Sequence, residues 1–273
     1  MIARYRILGP FALVVVAAHE SLAQSLGDRI ANARGAVAFT VATRGNVCGD
    51  GNGIFVSDDT SPGWNTRRRQ SGTHIGHGSY SSDDANGVCE IAPARVVVEH
   101  DGARVSSLRL SVGGAGATAG TDLGRVDPAE AVRYALSWAP RLDGRSGEDA
   151  VATAAIADVP RVWPELMTIA RDDQASESSR KAALFWVSRE ASAAAVAGLG
   201  SVAEDDDAST AVRSDALFYL SQRKDGAGVD ALVRVVRESK SVKLRKDAVW
   251  YLGQTRDPRA LALFEQLLSG RPR

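Results

Sequence analysis

The sequence predicts a mainly helical protein, a C-terminal α-solenoid of helix pairs preceded by a small disulfide-linked β domain. Three observations carry that expectation. One phrase is written three times, as SRKAALFWVSR (179–189), VRSDALFYLSQ (212–222) and LRKDAVWYLGQ (244–254). The residues from about Ala36 to Val112 follow strand and turn patterns instead. Two cysteines, Cys48 and Cys89, fall inside that second region.

The chain opens with an export-type pattern. Arg4 and Arg6 form a basic start, ILGPFALVVVAA (7–18) is an apolar run, and the small residues Ser21 and Ala23 precede a cut before Gln24. The run is too short to span a bilayer, which takes about 20 apolar residues. Cleavage would remove Arg4, Arg6 and Glu20 and leave a net charge of minus one. The mature protein is expected to be periplasmic or secreted, with no stable membrane insertion after cleavage. Near-neutral charge also argues against a nucleic-acid partner, which calls for a basic face.

In an exported chain an even cysteine count points to a structural bridge, so Cys48 and Cys89 are expected to pair. Closing a loop of 41 residues stabilises a small domain by about 4 kcal/mol on the chain-entropy account. The alternative is a metal site using Cys48, His74, His77 and Cys89, although zinc sites generally draw on closely spaced cysteine pairs.

Strand signals begin with AVAFTVAT (36–43). They return in ARVVVEHDGARVSSLRLSV (94–112), where two β-prone runs flank Asp101-Gly102 as in a hairpin. The stretch between is rich in Gly, Ser, Asn and Asp and reads as turns and loops. In it, Trp64 beside Arg67, Arg68 and Arg69 is read as solvated loop charge, with an anion-recognition patch as the alternative. GGAGATAG (113–120) carries Gly114, Gly116 and Ala119 at dinucleotide-site spacing, but the next helix start is Asp127-Pro128, too late to aim its amides at a pyrophosphate. It is read as a linker. The resulting division is a leader over 1–23, a β-rich domain over 24–112, a Gly-rich linker over 113–126 and a solenoid over 127–273.

Beyond the linker the pattern is helical. Arg180, Arg213 and Arg245 head the three copies, and the columns Ala183, Ala216, Ala248 and Phe185, Phe218, Trp250 and Trp186, Tyr219, Tyr251 recur with them. A degenerate earlier copy sits at GEDAVATAA, with Asp149 in the place of Asp215. Amphipathic segments at 127–139, 164–173, 191–203 and 228–239 precede the copies, and 258–268 follows the last. A helix pair of that size cannot bury both of its faces alone, so consecutive pairs must stack. Alanine lets the paired helices approach, and the aromatic columns are expected to fill the gaps between repeats. Arg180, Arg213, Asp215, Arg245 and Asp247 are candidates for a ladder of bonds from repeat to repeat.

VRSDALFYLSQRKDGAGVDALVRVVRE and LRKDAVWYLGQTRDPRALALFEQLL resemble bacterial HEAT repeats of the short, phycobilisome-lyase-like type. The layout as a whole is similar to uncharacterised exported HEAT-repeat proteins of bacteria. The resemblance implies the fold; because stacked repeats present an extended surface, the expected function is a non-catalytic scaffold of the cell envelope that needs no cofactor and binds a protein or peptide, its partner unidentified. Candidate contact residues are Glu190, Glu204 to Asp207, Arg223, Lys224, Lys240 and Lys243. The alternative is an enzyme, lyase-like or metal-dependent. Related di-iron hydroxylases imply His-Glu ligand pairs in successive repeats, and no His follows His100 here. His74 and His77 with Ser79 and Asp83 hold the elements of an acid/base site, but in a loop where such a coincidence is common.

Overall fold

The computed structural model describes residues 24–57, 72–76, 90–114, 119–190, 192–223 and 225–269. The export-type leader, the Trp64 and Arg67 to Arg69 cluster, His77, Ser79, Asp83, Cys89 and Lys224 lie outside the described residues. Among those that are described, no helix is long and apolar enough to cross a membrane.

A short helix, α1 (Leu26–Ala31), leads into β1 (Val37–Val41), β2 (Val47–Gly49), β3 (Gly53–Ser57) and β4 (Gly72–Gly76). The hairpin β5 (Ala94–Asp101) and β6 (Arg104–Val112) follows, then β7 (Thr121–Val126). The main sheet has the order β6-β5-β1-β7, antiparallel except for β1 and β7, which run parallel. β1 is central, and its Val37, Ala38, Phe39 and Val41 are fully buried. The alternation expected of β6 holds, with Val105, Leu108, Leu110 and Val112 turned inward. Gly102, at positive φ, makes the expected hairpin turn.

Two expectations need correction. The segment between the strand signals contains β2, β3 and β4, which form a second antiparallel sheet. Their runs are only three to five residues and are separated by glycine, so their turn composition outweighs their strand signal. The stretch 113–126 is not simply a linker, because its second half is β7. Gly113 and Gly114 have positive φ and cross directly over the β2–β3 turn. A side chain on Gly49 would collide with the Val112 carbonyl, and one on Gly113 with the Gly49 carbonyl. These glycines allow two backbones to touch.

The helical part contains α2 (Pro128–Trp138), α3 (Gly144–Ile156), α4 (Trp163–Arg171), α5 (Glu177–Ser188) and α6 (Ala193–Glu204). It continues with α7 (Thr210–Ser221), α8 (Val229–Glu238), α9 (Val242–Gln254) and α10 (Pro258–Ser269). Asp127 caps α2 by accepting from the Glu130 N–H at 3.0 Å, with proline at the first helical position as expected. Helices pair as α2–α3, α4–α5, α6–α7 and α8–α9, while α10 packs on α8. The second members, α3, α5, α7 and α9, stand side by side in a closely packed row. Ala183, Ala216 and Ala248 are fully buried there, as expected of a column that sets the approach distance.

The β region and the solenoid are not separate bodies. One continuous apolar core runs from Phe39 and Leu108 through Val151 to Leu252. α3 packs along the edge strand β6, and the chain after β1 joins the end of α3 through Arg44 N to Ile156 O at 3.0 Å and Asp158 N to Ala42 O at 2.9 Å. Covering an open sheet edge with a helix also blocks edge-to-edge association.

The crossing of Gly49 and Gly113 gives a stability test. Gly49→Ala is expected to destabilise the protein by about 1–3 kcal/mol in urea unfolding, because a Cβ there overpacks backbone that cannot move. Gly45→Ala, where a Cβ would meet nothing within 4 Å, should stay within about 0.5 kcal/mol of the parent.

Candidate functional site

The repeat phrase builds two kinds of contact that its residues alone do not distinguish. Arg213 is buried, and its Nε donates to the Ala203 carbonyl in the last turn of α6 at 3.1 Å, while Nη2 pairs with Asp206 at 3.0 Å. Arg245 does the same in the next repeat, from Nη1 to the Ser239 carbonyl at the end of α8, at 2.6 Å. Each arginine thus satisfies carbonyls that its own repeat's first helix leaves orphaned. This corrects the expected ladder, since the arginine column works within repeats. Among the described residues Arg180 has no such partner, and its buried Nε is left without one.

The aspartate column does step between repeats. Asp247 accepts from Ser214 of α7 at 2.9 Å, and Asp215 lies 3.7 Å from Lys181 of α5. Asp149 continues the column into the sheet, where its Oδ2 accepts from the Leu110 N–H of the edge strand β6 at 3.2 Å. β6 therefore stands where a preceding repeat would stand. Burial pushes the Asp149 carboxyl up to about 6, against the opposing pull of the Leu110 N–H, Arg145 and Arg109.

The aromatic columns join into a staircase. Trp186 meets Phe185 at 5.3 Å between ring centroids, Phe185 meets Tyr219 of the next repeat at 6.1 Å, and Tyr219 meets Phe218 at 5.3 Å. Phe218 then meets Tyr251 at 6.2 Å, and Tyr251 meets Trp250 at 5.2 Å. Most of these contacts are edge-on, the favoured arrangement for rings with opposed face and edge charge. The rings do bridge the repeats as expected, but they do not disappear into the gaps. Phe218 is 41% exposed and Trp250 62%. Tyr219 is pushed up to about 12 by burial and by Asp215, so its hydroxyl keeps its proton.

Most of the charged residues expected to form a contact stripe hold the array together instead. Asp205 ends α6 in a turn in which its Oδ1 accepts from Asp207 N at 3.0 Å, and Asp172 makes the same turn with Gln174 N after α4. Glu204 pairs with Arg234 at 2.8 Å and Asp206 with Lys240 at 3.2 Å. Arg223 reaches back to the Ser188 and Glu190 carbonyls, and Lys243 is bound by Asp247 and Ser214. Glu190 itself, with Arg44, Asn46, Trp163 and Trp186, lines a cavity of about 320 Å³ between the second sheet and α3 to α5.

One repeated feature went unread. Ser176, Ser209 and Ser241 each cap the second helix of a pair, accepting from the backbone N–H three residues on at 3.2 to 3.3 Å. Their spacing of 33 and 32 residues matches that of the arginines, and DDQAS (172–176) against DDDAS (205–209) writes turn and cap together. A serine four residues before each arginine was the available signal.

Residues 196–273 match the family model for HEAT repeats. The C-terminal part of the chain is a HEAT-repeat array. The pairs α2–α3 and α4–α5 extend the same packing upstream of the matched HEAT residues. No curated protein and no solved structure matches the chain.

Of the described cysteines none is free. Cys48 is fully buried on β2. His74 sits on β4, its backbone paired with Phe55.

The arginine and aspartate columns can each be tested. Arg213→Leu leaves the fully buried Ala203 carbonyl unsatisfied and is expected to cost about 1–3 kcal/mol in chemical denaturation. For Asp149, the folded carboxyl titrates higher than the unfolded one, so as pH falls from about 6 toward 4 only the folded state takes up the proton and gains stability. Asp149→Asn abolishes this gain. The melting temperature of the variant relative to the parent should therefore be more favourable at pH 7 than at pH 5.

Proposed function

We propose that this chain is an exported, non-catalytic scaffold of a bacterial cell envelope, which binds a protein or peptide across the row α5, α7 and α9. The observation that carries the reading is the partly exposed aromatic staircase. Large rings that already pack against one another lose little freedom when a partner covers them, which is why aromatic residues dominate binding energy at interfaces. Repeats of this kind offer an extended surface whose residues change from one repeat to the next.

Export rests on the leader pattern over 1–23, and an oxidising destination fits a bridge between Cys48 and Cys89. Glu90, the neighbour of Cys89, pairs in both directions with Gly49, the neighbour of Cys48, at 2.8 and 3.0 Å. That pairing draws the two stretches of chain together. The proposed bridge would anchor the second sheet beside the Gly49–Gly113 crossing.

Site-specific photo-crosslinking in cells tests the scaffold reading. A benzophenone side chain at position 218 is expected to trap a discrete protein adduct, and one at Glu165, exposed on α4, is not. Equal labelling at both positions, or none at 218, would remove the reading. For the bridge, the secreted protein unfolded without reductant should present no free thiol, and two free thiols would exclude it.

A further inference from the structure

We infer that the partner segment taken by the α5, α7, α9 row is a left-handed polyproline-type peptide, with proline or another apolar residue at every third position and an acidic residue between. The inference rests on the scaffold reading and names the chemistry of its ligand.

Helical spacing places three residues of each helix in line. On α5 these are Lys181, Phe185 and Arg189, on α7 Ser214, Phe218 and Gln222, and on α9 Lys246, Trp250 and Gln254. Residues four apart share a helix face, so the surface reads as three rows crossing the helices. The middle row is aromatic, one flank carries Lys181, Ser214 and Lys246, and the other carries Arg189 and the amides of Gln222 and Gln254.

Neighbouring packed helices stand about 8–10 Å apart, so the rings recur at about that interval. A polyproline helix has three residues per turn and rises about 3.1 Å per residue, which returns the same edge every 9.3 Å or so. Positions i, i+3 and i+6 therefore meet the half-buried Phe185 and the exposed Phe218 and Trp250 in succession. A β-like chain covers a similar distance in three residues, but its side chains alternate, so successive rings would meet opposite faces. The repeat spacing thus selects between the two extended conformations.

The flanking rows agree with this choice. A polyproline backbone makes no internal hydrogen bonds, and its carbonyls remain free to accept. Gln222 and Gln254 are exposed beside the rings; the Gln222 amide gives one hydrogen to Ser221 Oγ at 3.2 Å and keeps a second to offer, as does Gln254. Of the charges near the row, Asp215 is held by Lys181 and Asp247 by Lys243 and Ser214. Lys181 is also bound by Glu177 at 2.8 Å. Lys246 has no ion partner among the described residues and leaves a positive charge beside Trp250. An acidic residue next to the apolar edge complements it.

Fluorescence anisotropy on the full mature chain tests the inference with three labelled nonapeptides. One repeats Pro-Ala-Glu three times, one holds the same residues in blocks of three, and one repeats Pro-Ala-Lys. The first is expected to bind saturably and at least tenfold more tightly than either of the others. Phe218→Ala and Trp250→Ala should each weaken it at least tenfold at a temperature well below their melting points, which fall modestly because each substitution removes ring contacts to Tyr251. Lys246→Glu should reverse the preference between the acidic and basic repeats. Absence of binding, equal binding of the blocked peptide, or indifference to both ring substitutions would overturn the inference. If position 218 still yields a protein crosslink in that case, the scaffold reading stands and only the polyproline ligand is lost.

Discussion

Everything in this fold depends on covering the apolar face that a single helix pair leaves open. The pairs α4–α5, α6–α7 and α8–α9 solve this for one another, through a fully buried alanine column that lets neighbouring helices close in. The first pair has no repeat before it. The edge strand β6 takes that place, and Asp149 binds its backbone where Asp215 and Asp247 bind the side chains of a preceding helix. A sheet with an open edge and a solenoid with an open face each carry a liability, and here each covers the other.

That junction explains why the β region is so tightly drawn. β1 is buried at the centre of its sheet, β7 returns to pair with it in parallel, and the Gly49–Gly113 crossing locks the second sheet beside the first. The chain spends glycine where backbones must touch and serine or aspartate where helices and turns begin. The cavity beneath Trp186 lies along the same seam, where flat strands meet cylindrical helices.

Much of the helical half was legible because its period is written in residue types with a single physical use. Alanine columns, proline after an aspartate cap and a repeated arginine each announce a helix or its boundary. The direction of the arginines was not legible. Arg213 and Asp215 are two residues apart, and only the packed helices decide that one turns back into its own repeat while the other reaches the next. The short strands were hidden for other reasons: β2 and β3 pair across a tight turn, but their own composition is that of turns, and β7 pairs with β1, far earlier in the chain. The candidate site shows the same limit. The aromatic columns could be read, but their exposure could not, since it depends on how far each ring overhangs the following helix.

The two classes of polar contact also differ in their surroundings. Arg213, which joins the helices of one repeat, is buried, while the Lys181–Asp215 contact and the Lys243–Asp247 pair that flanks the Ser214 contact are partly open to solvent. Dissolved ions screen exposed charges far more than buried ones. Rising ionic strength therefore weakens the polar contacts between repeats before those within one, while the buried alanine column keeps the helices of the row together whatever the medium.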